Sequence, residues 1–117
     1  MIRNIMIGVA ALAMAATPAM AHSQYDTDVN VHNQSGVGRY IVSITITNEH
    51  GRSYQLLAPR TISPGYYRTV DMDDGEGHNH CNYVATARFN NGTYARRVID
   101  ACNTSNWYIA DLDNQTD

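Results

Sequence analysis

The segment DMDDGEGHNHC, residues 71–81, carries most of the side chains that could do chemistry in this chain of 117 residues. Four carboxylates and two imidazoles fall within ten residues: Asp71, Asp73, Asp74, Glu76, His78 and His80. Carboxylate oxygens are the ligands that Ca²⁺ prefers, whereas a His-x-His pair suits Zn²⁺ or Cu²⁺. The spacing is not that of an EF-hand, because Asn82 stands where the closing glutamate would be. The segment is therefore either a metal site or a solvated connection between two strands.

A further candidate ligand, His22, depends on how the chain is processed. Residues 1–21 have the positive start, the apolar run and the small-residue end of a bacterial secretory signal peptide, which we expect to be cleaved after Ala21. Cleavage would make His22 the N-terminus, where its amine and imidazole could together chelate copper. The apolar run is too short to span a bilayer, so we expect a periplasmic or secreted protein without membrane insertion.

Residues 22–117, which remain after cleavage, have the length of one small domain. The full chain has a formal net charge of −3, which argues against nucleic acid as a partner. No serine lies in a G-x-S-x-G elbow, and acidic pairs such as Asp73 and Asp74 occur in any secreted domain. The sequence therefore favours a non-enzymatic protein without a cofactor, whose partner is an unknown protein or glycan of the envelope.

Short alternating segments with turn residues between them predict an all-β fold. The expected strands are Tyr25–Asn33, Arg39–Asn48, Ser53–Leu57, Tyr66–Met72, His80–Phe89, Thr93–Ala101 and Asn106–Asp111. In the second of these, alternation places Tyr40, Val42, Ile44 and Ile46 on one face. About seven such strands favour a small antiparallel β-sandwich. We expect residues 114–117 to form a disordered tail.

The two cysteines, Cys81 and Cys102, flank an Asn-Gly pair at residues 91–92, which is a strong hairpin signal. If this pair forms a two-residue turn, Asn90 pairs with Thr93 and, counting outward, Cys81 pairs with Cys102. Such cross-strand partners are within the reach of a disulfide. A redox pair would more often be Cys-x-x-Cys, and a zinc site would need two further ligands. An oxidising compartment and an even count agree with a structural disulfide across the hairpin.

The same register predicts which side chains of the hairpin face the core. They are Tyr83, Ala85, Phe89, Tyr94 and Val98. The opposite face then carries Val84, Thr86, Arg88, Arg97 and Ile99, with the two arginines as a small positive patch or a solvated surface. The chain has eight tyrosines and no lysine. This composition is typical of an interaction surface or simply of a strand-rich chain.

These elements stand in an order that resembles a family of small secreted bacterial proteins of unknown function. The shared elements are NQSG at 33–36, ISPG at 62–65, DMDDGEG at 71–77, CNYVATARFNNG at 81–92 and ARRVIDAC at 95–102. The chain departs from the family pattern at residues 48–52, NEHGR, where relatives carry Trp-Gly, and in the two histidines of a longer acidic loop. The resemblance implies a β fold and an exported location, and it implies no activity.

The sequence thus predicts a non-enzymatic binding or structural module of the bacterial cell envelope. The alternative is a periplasmic protein that binds Cu, Zn or Ca through the acidic loop, with or without His22.

Overall fold

The computed structural model describes residues 26–76, 80–110 and 114–116, and in these ranges the chain forms strands and turns without a helix. The strands are β1 Asp28–Asn33, β2 Ile41–Thr47, β3 Ser53–Gln55, β4 Tyr67–Asp71, β5 Asn82–Phe89, β6 Tyr94–Asp100, β7 Asn106–Ile109 and β8 Asn114–Thr116. Each of the seven predicted strands has its counterpart. The eighth, β8, pairs with β7 in the segment for which the sequence predicts a disordered tail.

The strands form two four-stranded sheets. Sheet I has the order β4-β1-β7-β8, and sheet II has the order β3-β2-β5-β6. Strand β1 pairs antiparallel with β4 and parallel with β7. The other pairings between the described strands are antiparallel. The β1–β7 pair is therefore the exception to the expected antiparallel arrangement.

The core lies between the two sheets and takes apolar side chains from both. Sheet I contributes Val29, Val31, Val70, Trp107 and Ile109, and sheet II contributes Ile41, Ile44, Ile46, Tyr83, Ala85, Ala87, Phe89 and Ile99. Alternate residues of each strand face inward because side chains of a β-strand alternate between its two sides. This packing of two inner faces confirms the predicted β-sandwich.

Strand β2 changes the phase of its alternation near its start. Ile41 is buried, whereas Tyr40, which the sequence assigns to the same face as Ile44 and Ile46, is exposed. The pairing of β2 with β5 shifts by one residue between Ile41 and Ser43. A β-bulge inserts one extra residue at such a shift, which reverses the alternation on one side of it.

The register of the β5–β6 hairpin differs by one residue from the predicted register. Arg88 lies opposite Tyr94, so the loop is one residue longer than a two-residue turn. Phe89 N–H donates to Thr93 O (2.8 Å), and Gly92, at φ 89°, donates to Phe89 O (3.0 Å). A type I turn followed by a left-handed glycine gives such a three-residue loop.

This shift exchanges the two faces of β6, because a slip of one residue turns every side chain to the other side of the sheet. Tyr94 and Val98, predicted in the core, are 53% and 72% exposed. Ile99, predicted outside, is buried. The predicted faces of β6 are therefore wrong, whereas the predicted core positions on β5 are confirmed: Tyr83, Ala85 and Phe89 are buried.

The disulfide between Cys81 and Cys102 is present, with a Cα–Cα distance of 5.2 Å. Cys81 O accepts a hydrogen bond from Ala101 N–H (2.7 Å), so the residue opposite Cys81 is Ala101 and not Cys102. Cys102 lies one residue further on, in the turn that follows β6. The bridge joins the end of the hairpin to this turn, which is why the disulfide forms although the predicted register is wrong.

Candidate functional site

The acidic segment between β4 and β5 is organised around a buried carboxylate, Asp74. Asp74 Oδ2 accepts a hydrogen bond from His80 Nδ1 at 2.5 Å, and the Asp74 side chain is fully buried while that of His80 is 17% exposed. Asp74 Oδ1 accepts from Glu76 N–H (3.1 Å) within the loop. The hydroxyl of Tyr83 on β5 lies under the loop, 3.3 Å from Asp74 N and 3.1 Å from His80 O. Asp74 and His80 therefore form an ion pair against the core.

Asn48, at the end of β2, ties this segment to the β2–β3 turn. Its Nδ2 donates to Asp74 Oδ2 (3.1 Å) and to Glu76 Oε2 (2.9 Å). Its Oδ1 accepts from the backbone N–H groups of His50 and Arg52, both at 3.0 Å. A buried amide whose donor and acceptor sides are both used fixes the two loops relative to each other.

Glu76 completes the network on its outer side. Tyr54 on β3 donates its hydroxyl hydrogen to Glu76 Oε2 (2.5 Å), and Arg52 Nη1 lies 3.1 Å from Glu76 Oε1. The carboxylate is thus held by a phenol, a guanidinium and the Asn48 amide. Its oxygens are used by groups of the chain itself.

The pKa values of these groups shift in the directions that the contacts require. The bond from Tyr54 lowers the pKa of Glu76, and the Arg52 guanidinium lowers it further. Burial raises the pKa of Asp74, but the bonds from His80, Glu76 N–H and Asn48 outweigh burial, so the pKa is lowered. The bond to Asp74 raises the pKa of His80. Burial raises the pKa of Tyr83 to about 12. The site therefore favours charged Asp74, charged Glu76 and protonated His80.

Three of the predicted metal ligands come together in the fold. Ligand atoms of Asp74, Glu76 and His80 lie within 4.8 Å of one another. Asp71 lies on β4 and accepts instead from Thr27 Oγ1 (2.6 Å), while Asp73 accepts from Gly75 N–H (3.1 Å). The remaining candidates, His22 and His78, lie outside the described residues.

A second histidine, which the sequence analysis did not single out, stands beside this cluster. The His50 and His80 rings have centroids 6.0 Å apart, and ligand atoms of Glu49, His50 and His80 also lie within 4.8 Å of one another. A cavity of about 220 Å³ opens next to them and reaches the disulfide at Cys81. Spacing along the chain gives no signal for this contribution, because His50 and His80 lie thirty residues apart.

An exposed surface on the outward side of sheet II is the other candidate, and we call it the Tyr94 face. It consists of the outward side chains of β5 and β6: Val84, Thr86, Arg88, Tyr94, Arg96 and Val98. The guanidinium carbons of Arg88 and Arg96 lie 5.5 and 5.1 Å from the centre of the Tyr94 ring. Two cations therefore flank one exposed aromatic ring.

The rest of the Tyr94 face is apolar at one end and hydroxyl-rich at its border. Val84 and Val98 are cross-strand partners and are 36% and 72% exposed. Ser43, Thr45 and Thr47 of β2 form the next row, opposite the outward residues of β5. The sequence predicts that Arg88 and Arg97 share this face, and for Arg97 the prediction is wrong. The register shift places Arg96 on this face and leaves Arg97 half-buried on the opposite face of the sheet.

The fold and its bridge define a disulfide-stapled all-β sandwich. Comparison with family models, with curated proteins and with solved structures finds no match to the chain. The resemblance to small secreted bacterial proteins therefore stays a prediction. Within the described residues, the chain has no helix that is both long enough and apolar enough to cross a membrane.

Proposed function

We propose that the protein is an exported, non-enzymatic binding module of the bacterial cell envelope and that the Tyr94 face is its binding surface. The observation that carries the proposal is the position of Tyr94, exposed between Arg88 and Arg96 on a face that ends in two exposed valines. The exported location rests on the signal-like residues 1–21 and agrees with the disulfide, since disulfides persist in oxidising compartments.

The residue types of this face are those that bind proteins. Tyrosine and arginine are enriched among the residues that dominate binding energy, because each combines a large contact area with directional hydrogen bonds. Covering Val84 and Val98 removes apolar area from water, which would stabilise a complex. The hydroxyl-bearing row on β2 gives the polar rim that such surfaces have.

The charges of the face restrict the partner. Arg88 and Arg96 stand at one end, and the only outward carboxylate of β6, Asp100, lies at the other end and binds Cys102 N–H and the Asn103 amide. A protein surface with carboxylates opposite Arg88 and Arg96 and an apolar patch opposite the two valines is complementary to this arrangement. We therefore place a protein partner of that character on the Tyr94 face.

Photo-crosslinking in living cells tests the proposal with a matched pair of valines. A photoreactive phenylalanine analogue replaces Val98 on the face or Val37 in the turn before β2, and both positions are exposed. A discrete adduct is expected at position 98 only, and it should disappear when Tyr94→Ala and Arg96→Ala are added. Identical adduct patterns at the two positions, or no adduct at position 98, would contradict the proposal.

The second candidate is a periplasmic metal-binding protein, and the proximity of Asp74, Glu76 and His80 ligand atoms favours it. Against it stand the hydrogen bonds that already occupy both carboxylates. Calorimetric titration of the exported protein with Zn²⁺, Cu²⁺ and Ca²⁺ separates the two candidates. One-to-one binding that disappears in His80→Ala supports the metal site, and an ion at a hundred times its Kd should add ~2.7 kcal/mol to the free energy of unfolding. Unchanged stability in a chelator, with no binding heat, rejects it.

A further inference from the structure

A groove at the open edge of sheet I is separate from both surfaces described above. Its volume is about 310 Å³, and it is lined by Thr61, Ile62, Ser63, Tyr66, Tyr67 and Arg68. Ile62 is buried and belongs to the core, so the groove opens directly above packed side chains. A volume at the lower end of the range for ligand sites suits a single ring-shaped group.

Two exposed tyrosines line the groove. Tyr66 is 70% and Tyr67 57% exposed. Tyr67 is held in place from the β1 side, because its ring lies 5.0 Å from the His32 ring, which stacks in turn on Tyr108 at 4.5 Å. This row of three rings runs across β4, β1 and β7. Tyr67 and Arg68 are consecutive residues of β4, so the stacked ring borders the groove on the outer side of the strand and Arg68 borders it on the inner side.

Arg68 supplies the charge of the groove. It lies opposite Val31 on the side of edge strand β4 that also carries Val70, yet it remains exposed because it lies at the open edge of the sandwich. Its Nε donates to Thr61 O (2.8 Å), which fixes the plane of the guanidinium. Within the described part of the chain, no carboxylate lies within ion-pair distance of Arg68, and the residues that line the groove include no acid.

We propose that this groove binds a sugar ring that carries a carboxylate, as one unit of an acidic polysaccharide. Tyr66 would contact the C–H surface of the ring, since aromatic side chains combine an apolar surface with a polar tip. The Arg68 fork matches the two oxygens of a carboxylate. The hydroxyls of Thr61 and Ser63 would exchange hydrogen bonds with the hydroxyls of the sugar.

Both the charge and the size of the groove support this ligand class. The chain as a whole is acidic, with a formal net charge of −3, so an anionic ligand needs a local cation such as Arg68. The groove holds one ring and not an extended chain, which favours a sugar unit over a peptide. This inference is independent of the Tyr94 face, which lies on the other sheet.

Chemical-shift titration by NMR tests the groove with a matched pair of probes, methyl β-glucuronide and methyl β-glucoside. The glucuronide should shift the resonances of residues 61–68 and should bind about tenfold more tightly than the uncharged glucoside, as expected for a charge-assisted hydrogen bond. Arg68→Gln should reduce glucuronide affinity to that of the glucoside, and Tyr66→Ala should weaken both probes. Arg60→Gln, at an exposed arginine that does not line the groove, is the control for net charge and should change neither.

Several results would overturn the inference. Equal affinity for the two sugars, or unchanged binding in Arg68→Gln, would remove the carboxylate from the proposal. Equal shifts with inorganic phosphate would make the groove a site for anions and not for sugars. Shifts confined to other residues, or no shift at sugar concentrations of roughly 50 mM, would remove the site altogether. Since Tyr66 and Arg68 are exposed, their variants should keep the melting temperature of the parent.

Discussion

Asn48→Ala is the substitution that most sharply tests how the acidic loop is held. The Asn48 side chain makes four hydrogen bonds, two to carboxylates of the loop and two to backbone N–H groups of the β2–β3 turn. A hydrogen bond contributes roughly 1 kcal/mol net, and some of the exposed groups will find water, so we expect a loss of about 3 kcal/mol. For a domain of this size that loss lowers the melting temperature by roughly 12–24 °C.

Asn48→Asp is the matched variant, because it keeps the acceptor for the turn and removes only the amide donor. Near neutral pH its carboxylate would face Asp74 and Glu76, and the like charges should destabilise the fold. In acid its protonated form can donate again, so its stability relative to the parent should rise as the pH falls. Urea unfolding followed by circular dichroism measures both variants. A loss below about 1 kcal/mol in Asn48→Ala would refute the reasoning, because a partnered buried amide costs more than that to remove.

Three further predictions concern the ion pair, the register and the bridge. Because the bond to Asp74 raises the pKa of His80, the contribution of this ion pair to the free energy of unfolding is complete below pH about 6.5 and is lost as the pH rises through the pKa of the folded state. His80→Asn should therefore flatten the fall in melting temperature between pH 6 and 9. An unchanged slope would contradict this. Ile99→Ala should cost about 2–4 kcal/mol in urea unfolding. Val98→Ala should stay within ~0.5 kcal/mol, and the reverse order would favour the register first predicted. Replacing Cys81 and Cys102 together by Ala should cost about 3 kcal/mol, as expected from a bridge that spans 21 residues, and equal stability with and without the bridge would speak against it.

The strands could be predicted from the sequence because alternation and turn residues are local signals. The register of β5 and β6 could not, because an Asn-Gly pair is compatible with a two-residue turn and with a three-residue loop whose glycine is left-handed. The structure uses the second, with Gly92 at φ 89°. The one additional residue in this loop decides whether Val98 or Ile99 faces the core. The bulge near Ile41 is a second case in which one extra residue reverses the alternation.

The candidate site could be predicted only in part. Asp74, Glu76 and His80 meet because they are close along the chain, and composition alone draws attention to them. Asn48 and Tyr54 come from another part of the chain, and their bonds to the loop depend on how the β2–β3 turn packs against it. Spacing along the chain carries no information on such a contact. The sequence places Tyr94 in the core, and this prediction is wrong because the predicted register of β6 is wrong.

The most direct test of the Tyr94 face uses the absence of lysine from the chain. A single lysine placed at Val98 or at Val37 is then the one side-chain amine, and its aliphatic stem can keep the apolar cover of the position. An amine-reactive label is applied to intact cells and to the purified protein, and peptide mass spectrometry measures its extent at each lysine. We predict that the lysine at position 98 is protected in cells relative to the purified protein, whereas the lysine at position 37 is labelled equally in both. Equal labelling at position 98 in cells and in solution would contradict the proposal that this face is covered by a partner.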